Sequence, residues 1–150
     1  MSESVLMHGT AVVIDGEALL LRGPSGAGKS DLALRLIDGG ALLVADDQAE
    51  LSRRGDRVWV RAPAALAGLI EVRGVGILRL KAVAEAPLAL LVDLVPPARI
   101  ERLPEAEVET VFGLSVRRLA VAPFEASAAA KLRLVRRAFT AARPHDILGP

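Results

Sequence analysis

The chain has 150 residues, of which 52% are hydrophobic and 25% charged, which suits one compact domain with its own core and excludes a disordered tail as the main content. Lys+Arg number 19 against 18 Asp+Glu, a formal net charge of +1, so no charge excess asks for nucleic acid or an anionic membrane as partner. With no cysteine, a disulfide framework, a thiolate metal site and a cysteine nucleophile are all excluded, and 3% aromatics leave few stacking platforms for single strands.

Two short apolar runs, Ala11 to Ile14 and Ala18 to Leu21, flank Asp15-Gly16, a dipeptide suited to a tight hairpin turn. A glycine-rich loop follows from Gly23 to Gly28. A helix is predicted from Lys29 to about Asp38, with Leu32, Ala33, Leu36 and Ile37 on one face and Gly39-Gly40 as its stop. The run Ala41 to Ala45 is continuously apolar, as in a strand covered on both faces. A second hairpin is expected around Arg54-Gly55-Asp56, one helical turn from Pro63 to Leu66, and strands at Val75 to Leu80 and Leu88 to Leu94. Pro96-Pro97 and Pro104 punctuate a middle stretch that reads as an acidic loop, with Glu101, Glu105, Glu107 and Glu109. From about Phe124 to Ala142 the pattern is helical, with Arg133, Arg136 and Arg137 opposite the apolar face, and from Pro144 the chain reads as a loose tail. No apolar run approaches the ~18 residues a spanning helix needs. Glu3, Asp15 and Glu17 break the basic-then-apolar order of a secretory leader. One α/β domain over 1–150, ordered over about 5–142 and cytoplasmic, is the expectation.

Gly23-Pro24-Ser25-Gly26-Ala27-Gly28-Lys29-Ser30 matches the phosphate-loop pattern G-x-x-x-x-G-K-[ST] without departure, between a predicted strand and a predicted helix. Glycines let backbone N–H groups turn inward around phosphate oxygens, and the helix N-terminus adds its positive dipole end. Lys29 is placed to reach the β- and γ-phosphates, and the Ser30 hydroxyl to ligate Mg²⁺. A nucleotide such as ATP is the implied ligand.

Asp46-Asp47 ends the apolar strand at Ala41 to Ala45, the end at which a parallel α/β sheet binds ligands. Neighbouring strand residues point to opposite sides, so one carboxylate can serve Mg²⁺ and the other take a proton from an attacking hydroxyl; a solvated turn explains the pair equally well. Glu71 lies in Leu69 to Ile77 among apolar neighbours, where metal or an ion pair with Arg73 would satisfy it. His8, beside Gly9, carries no meaning alone.

Together, His8-Gly9, the loop Gly23 to Ser30, Val44-Ala45-Asp46-Asp47 and Glu71-Val72-Arg73-Gly74-Val75-Gly76-Ile77 resemble, in order and approximate spacing over about residues 5 to 80, the catalytic domain of bacterial HPr kinase/phosphorylase. The resemblance implies the phosphoenolpyruvate-carboxykinase-like variant of the P-loop kinase fold, α/β with a mixed sheet and flanking helices. It implies transfer of a phosphoryl group from ATP to a serine of HPr, a small phosphocarrier protein of the phosphotransferase system, with reversal by phosphorolysis in many members. It implies Asp46 as the base that accepts the serine proton and Asp47 as its acidic neighbour near the metal. By the same resemblance Ser30 and Glu71 hold Mg²⁺ (with Asp47 beside it), His8 sits beside the transferring phosphate, and the assembly is a homo-oligomer, a hexamer.

The chain also departs from that pattern. Typical members carry a further N-terminal domain, whereas this sequence starts almost at the catalytic one, and the match thins after Ile77. An arginine that the family carries ahead of the last helix is absent from Pro123-Phe124-Glu125-Ala126-Ser127-Ala128, with Lys131 or Arg133 as possible substitutes. Such an arginine is worth ~10³-fold or more in rate. Two alternatives therefore stand beside the protein kinase: a nucleotide-binding regulatory module with impaired catalysis, and a small-molecule P-loop kinase, for which the proline-broken stretch from Pro96 to Glu109 makes a poor lid.

Overall fold

The computed structural model describes residues 3–138. The two apolar runs ahead of the phosphate loop become β2 (Thr10–Ile14) and β3 (Glu17–Arg22), paired antiparallel through Asp15-Gly16. Both turn residues have positive φ, 51° and 82°, the conformation that a tight hairpin demands and that aspartate and glycine tolerate. β1 (Ser4–His8), which the sequence reading did not anticipate, precedes them and pairs antiparallel with β5 (Gln48–Arg54). β5 forms the second hairpin with β6 (Arg57–Arg61), turning at Gly55 as expected, and a 3₁₀ turn follows at Ala64–Leu66.

α1 (Lys29–Asp38) buries Lys29, Leu32, Ala33 and Leu36, and ends at Gly39 and Gly40. β4 (Leu42–Ala45) comes next, then β7 (Leu69–Val72) and β8 (Gly76–Arg79), an antiparallel pair separate from the main sheet. β9 (Glu85–Leu94) is longer than predicted and is the spine of the molecule. It pairs parallel with β3 on one edge and with β11 (Leu114–Val121) on the other, and antiparallel with β6 near its start. Among the described residues the main sheet has nine strands, in the order β1-β5-β6-β9-β3-β2-β4, with β11 attached to β9 and β10 (Glu107–Val111) to β11. The fold is α/β with a mixed sheet and flanking helices, as expected.

Three expectations are corrected. The acidic middle is not simply a loop: Glu107 and Glu109 lie on β10, whose alternation Glu-Val-Glu-Thr-Val is a strand pattern. The last helix begins at Ala128, not Phe124, giving α2 (Ala128–Ala138); its predicted continuation to Ala142 and the tail from Pro144 lie outside the described residues. β4 runs antiparallel to β2 rather than within a parallel sheet. Because β2 is itself antiparallel to β3, β4 and β3 still point the same way, which brings the Asp46 end of one beside the phosphate loop of the other.

Alternation within the strands feeds two cores. Val12, Leu19, Leu21, Leu90 and Val92 pack with α1 and with Ala128, Ala129 and Leu132 of α2. Ala11, Val13, Ala18, Leu20 and Leu91 face the other way, against Val44, Leu51, Val58 and Val60. With both faces covered, continuous apolar runs are what these strands require. Of the three arginines placed opposite the apolar face of α2, Arg137 is exposed, whereas Arg133 and Arg136 are drawn into contacts. Arg136 is 7% exposed. It donates to the carbonyls of Ile14 (3.0 Å) and Asp15 (3.1 Å) and to Glu17 Oε1 (2.6 Å), clasping α2 to the β2–β3 turn. Arg133 donates to the Arg35 carbonyl at 2.9 Å, a cation at the C-terminal end of α1 where the helix dipole favours one.

Candidate active site

The phosphate loop joins the C-terminal end of β3 to α1, so its N–H groups and the helix N-terminus open on the same side. Gly28 has φ 102° at the helix start, and a Cβ there would lie 2.9 Å from the Phe124 ring; only glycine fits. Lys29 is 7% exposed. Its ammonium bridges the carbonyls of Gly23 (2.7 Å) and Pro24 (3.0 Å), bracing the loop from within. A cavity of about 330 Å³ opens in front, lined by Ser25, Gly26, Gly28, Lys29 and Ser30 of the loop together with Asp31, Leu34, Asp47, Glu71, Arg73 and Phe124 among others.

The two aspartates at the end of β4 have different surroundings. Asp46 is buried, and both of its oxygens are engaged. Oδ1 accepts from Ser30 Oγ (2.7 Å) and Thr10 Oγ1 (3.0 Å), and Oδ2 accepts from the backbone N–H of Glu71 (2.9 Å). One carboxylate thus ties β2, α1 and β7 to β4. Asp47 has φ 69°, a left-handed conformation that aspartate adopts more readily than most residues, and its side chain is 67% exposed on the cavity wall. Its hydrogen-bond partner is His8, whose Nε2 donates to Oδ1 at 2.6 Å. The backbone N–H of Asp47 donates to Thr10 Oγ1 at 3.2 Å, and that of Gly9 donates to the Asp47 carbonyl at 2.9 Å, fixing the turn.

Glu71 projects from β7 into the same cavity as Ser30 and Asp47. It forms no ion pair with Arg73, because the strand ends at Val72 and Arg73 enters the turn to β8. Among the described residues no group of three or more His, Asp or Glu side chains is arranged as a metal cage. The cations proposed from sequence for the stretch before α2 are committed elsewhere: Lys131 pairs with Glu125 at 3.2 Å, and Arg133 caps α1. The cationic side chains lining the cavity are Lys29 and Arg73.

Sequence reasoning passed over Thr10, whose signal was a lone hydroxyl in an apolar strand, and Arg35. The Arg35 guanidinium donates to the carbonyls of Pro123 and Glu125 (3.4 Å for the latter), holding the segment that carries Phe124 against the phosphate loop. No described helix is long and apolar enough to cross a membrane.

The family described as the HPr serine kinase C-terminal domain matches residues 1–122. HPr kinase/phosphorylase of Burkholderia lata is 40% identical over 77% of this chain, and that of Burkholderia cenocepacia is equally similar. The chain spans 39% of the length of these relatives. Among solved structures, the HPr(Ser) kinase/phosphatase from Coxiella burnetii superposes with a TM-score of 0.80 at 25% identity, over 89% of this chain and 94% of that one.

Proposed function

The chain belongs to the HPr serine kinase C-terminal domain family, and from that premise we propose that it is an ATP-dependent protein-serine kinase acting on an HPr-type phosphocarrier. The observation that carries this reading is the convergence of a complete phosphate loop, Ser30, Glu71 and the Asp47–His8 pair on one cavity. The Lys29 ammonium and the loop N–H groups hold the β- and γ-phosphates. Ser30 Oγ and the Glu71 carboxylate are hard oxygen donors suited to Mg²⁺, which takes one or two protein ligands beside phosphate and water. Bound there, the ion neutralises charge on the phosphates.

Asp47, rather than Asp46, is the proton acceptor in this proposal. Its carboxylate faces the cavity with one partner, whereas both oxygens of Asp46 are taken up by three donors. The acceptor serine gives its proton to Asp47 as its oxygen bonds to the γ-phosphorus, and the bond to the β,γ-bridging oxygen breaks to leave ADP. His8 orients the carboxylate through Nε2. In phosphorolysis, inorganic phosphate attacks phosphoserine, Asp47 returns the proton to the serine oxygen, and pyrophosphate leaves. Homo-oligomerisation belongs to the same proposal, and sedimentation of the purified chain tests it.

Incubation with ATP, Mg²⁺ and an HPr-type protein, read by intact mass, should add one phosphoryl group to a serine. The Asp47→Asn variant should lose that transfer while still binding ATP. Transfer that survives in Asp47→Asn overturns the proton-acceptor assignment. A second reading, a nucleotide-binding regulatory module, draws on the cavity having Lys29 and Arg73 as its cationic lining. It predicts ATP binding with no transfer to any serine protein.

A further inference from the structure

The chain has three phenylalanines, one tryptophan and no tyrosine. One of these few rings, Phe124, stands 70% exposed on the wall of the phosphate-loop cavity. A large apolar ring left in water forgoes the burial that normally holds phenylalanine in a core. This ring is nevertheless held in place. Its two chain neighbours, Pro123 and Glu125, are both gripped at their carbonyls by Arg35 of α1. The Glu125 N–H donates to the Ala122 carbonyl at 3.3 Å, and Ala122 is itself buried. At Gly28 the ring approaches the loop backbone so closely that a Cβ would sit 2.9 Å from Cζ and 3.1 Å from Cε1. Leu34, from the second turn of α1, adds a further apolar lining.

The result is a fixed, flat, apolar surface next to a phosphate cradle. A nucleoside triphosphate has the matching shape: charged phosphates tethered to a flat base with two π-faces. We propose that Phe124 is the platform on which the nucleotide base stacks. This inference rests on the nucleotide reading of the cavity and adds what holds the base. Stacking accepts any base because each has a π-face, so ATP and GTP should bind with similar affinity.

The test compares MgATP with Mg-tripolyphosphate, which carries the phosphates without a base, by calorimetric titration of the wild type, Phe124→Ala and Phe124→Trp. The expected result is a loss of about tenfold or more in ATP affinity for Phe124→Ala, with tripolyphosphate binding unchanged. Phe124→Trp should keep ATP affinity, and its indole fluorescence should respond to ATP and not to tripolyphosphate. Equal losses for both ligands in Phe124→Ala would mean that the ring only braces the loop, and the platform falls. An unchanged ATP affinity together with a raised KM for the acceptor protein assigns the ring to the acceptor and overturns the proposal as well. If the wild type binds neither ligand, the nucleotide reading itself fails and takes the platform with it; if it binds tripolyphosphate as tightly as ATP, the platform alone fails.

Discussion

Asp46 and Asp47 are chemically identical neighbours with opposite assignments, and the difference is one of hydrogen-bond accounting. Asp46 satisfies a serine, a threonine and a backbone N–H, the last two of which would otherwise be stranded in or near the core. Asp46→Ala removes all three acceptor contacts, and leaving buried donors unmatched costs about 1–3 kcal/mol for each group. Ser30 lines the cavity and its hydroxyl can turn to water, so two donors, Thr10 and the Glu71 N–H, are stranded; we expect Asp46→Ala to lose roughly 2–4 kcal/mol of stability by urea denaturation, and ATP affinity with it, because Ser30 loses its anchor. Asp47→Asn should unfold at the same urea concentration as the wild type, since asparagine also tolerates the left-handed backbone and can still accept from His8. Its loss is confined to transfer, by about 10² or more. A stable Asp46→Ala beside an unstable Asp47→Asn would reverse the two roles. Strand alternation suggested that these carboxylates serve different ends, but β4 stops at Ala45 and Asp47 is left-handed, and choosing the buried one required knowing that Thr10, Ser30 and Glu71 converge there.

Among the elements, β10 shows why an acidic stretch can be misread. Its alternation is short, and its charges look solvated until their partners are found far away in the chain. Arg22, at the end of β3, donates to both oxygens of Glu109 (2.8 and 2.9 Å) and to Asp93 Oδ1 (3.0 Å), while Arg118 of β11 donates to Asp93 Oδ2 (2.6 Å). The network binds β10 and β11 to the strand that enters the phosphate loop. The hydrogen bonds from Arg22 hold the Glu109 carboxyl below its ordinary value near 4.5. The folded protein therefore takes up this proton less readily than the unfolded chain. The contribution of Glu109 is present above about pH 4.5 and is lost as pH falls through the depressed value. Urea denaturation across pH 3–7 should show the stability gap between wild type and Glu109→Gln closing below about pH 4.5; a gap independent of pH would remove the ion pair from the account. α2 is held by a similar long-range contact. Arg136→Ala strips Glu17 of one partner and two turn carbonyls of their donor, and should cost about 2–3 kcal/mol. Arg136→Lys should recover little, because one ammonium cannot reproduce the forked contacts.

Across the whole molecule, legibility follows the range of the interaction. The phosphate loop, the β2–β3 hairpin and α1 are specified by residues within a few positions of one another, and the structure reproduces them. β1 and β11 depend on pairings with β5 and β9, distant in sequence, and the start of α2 on Arg35 gripping Pro123 and Glu125; the local signals are weak here, the clearest being the five-residue alternation of β10. The cavity combines both kinds, since its lining runs from Ser25 to Phe124 and joins the phosphate loop, the β4–β5 junction, the β7–β8 turn and the segment before α2. In the unliganded protein these segments meet chiefly through Asp46 and Arg35. A ligand that contacts all of them in the native state and none in the unfolded chain must stabilise the fold as a whole. At 100 times its Kd, MgATP contributes about 2.7 kcal/mol by mass action, and for a chain of this size that raises the Tm by roughly 5–10 °C. Lys29→Ala should lower the unliganded Tm, because the ammonium that bridges Gly23 and Pro24 is gone, and should abolish most of the ligand-induced rise. A full rise retained in Lys29→Ala would place the nucleotide outside the phosphate loop and overturn the site described above.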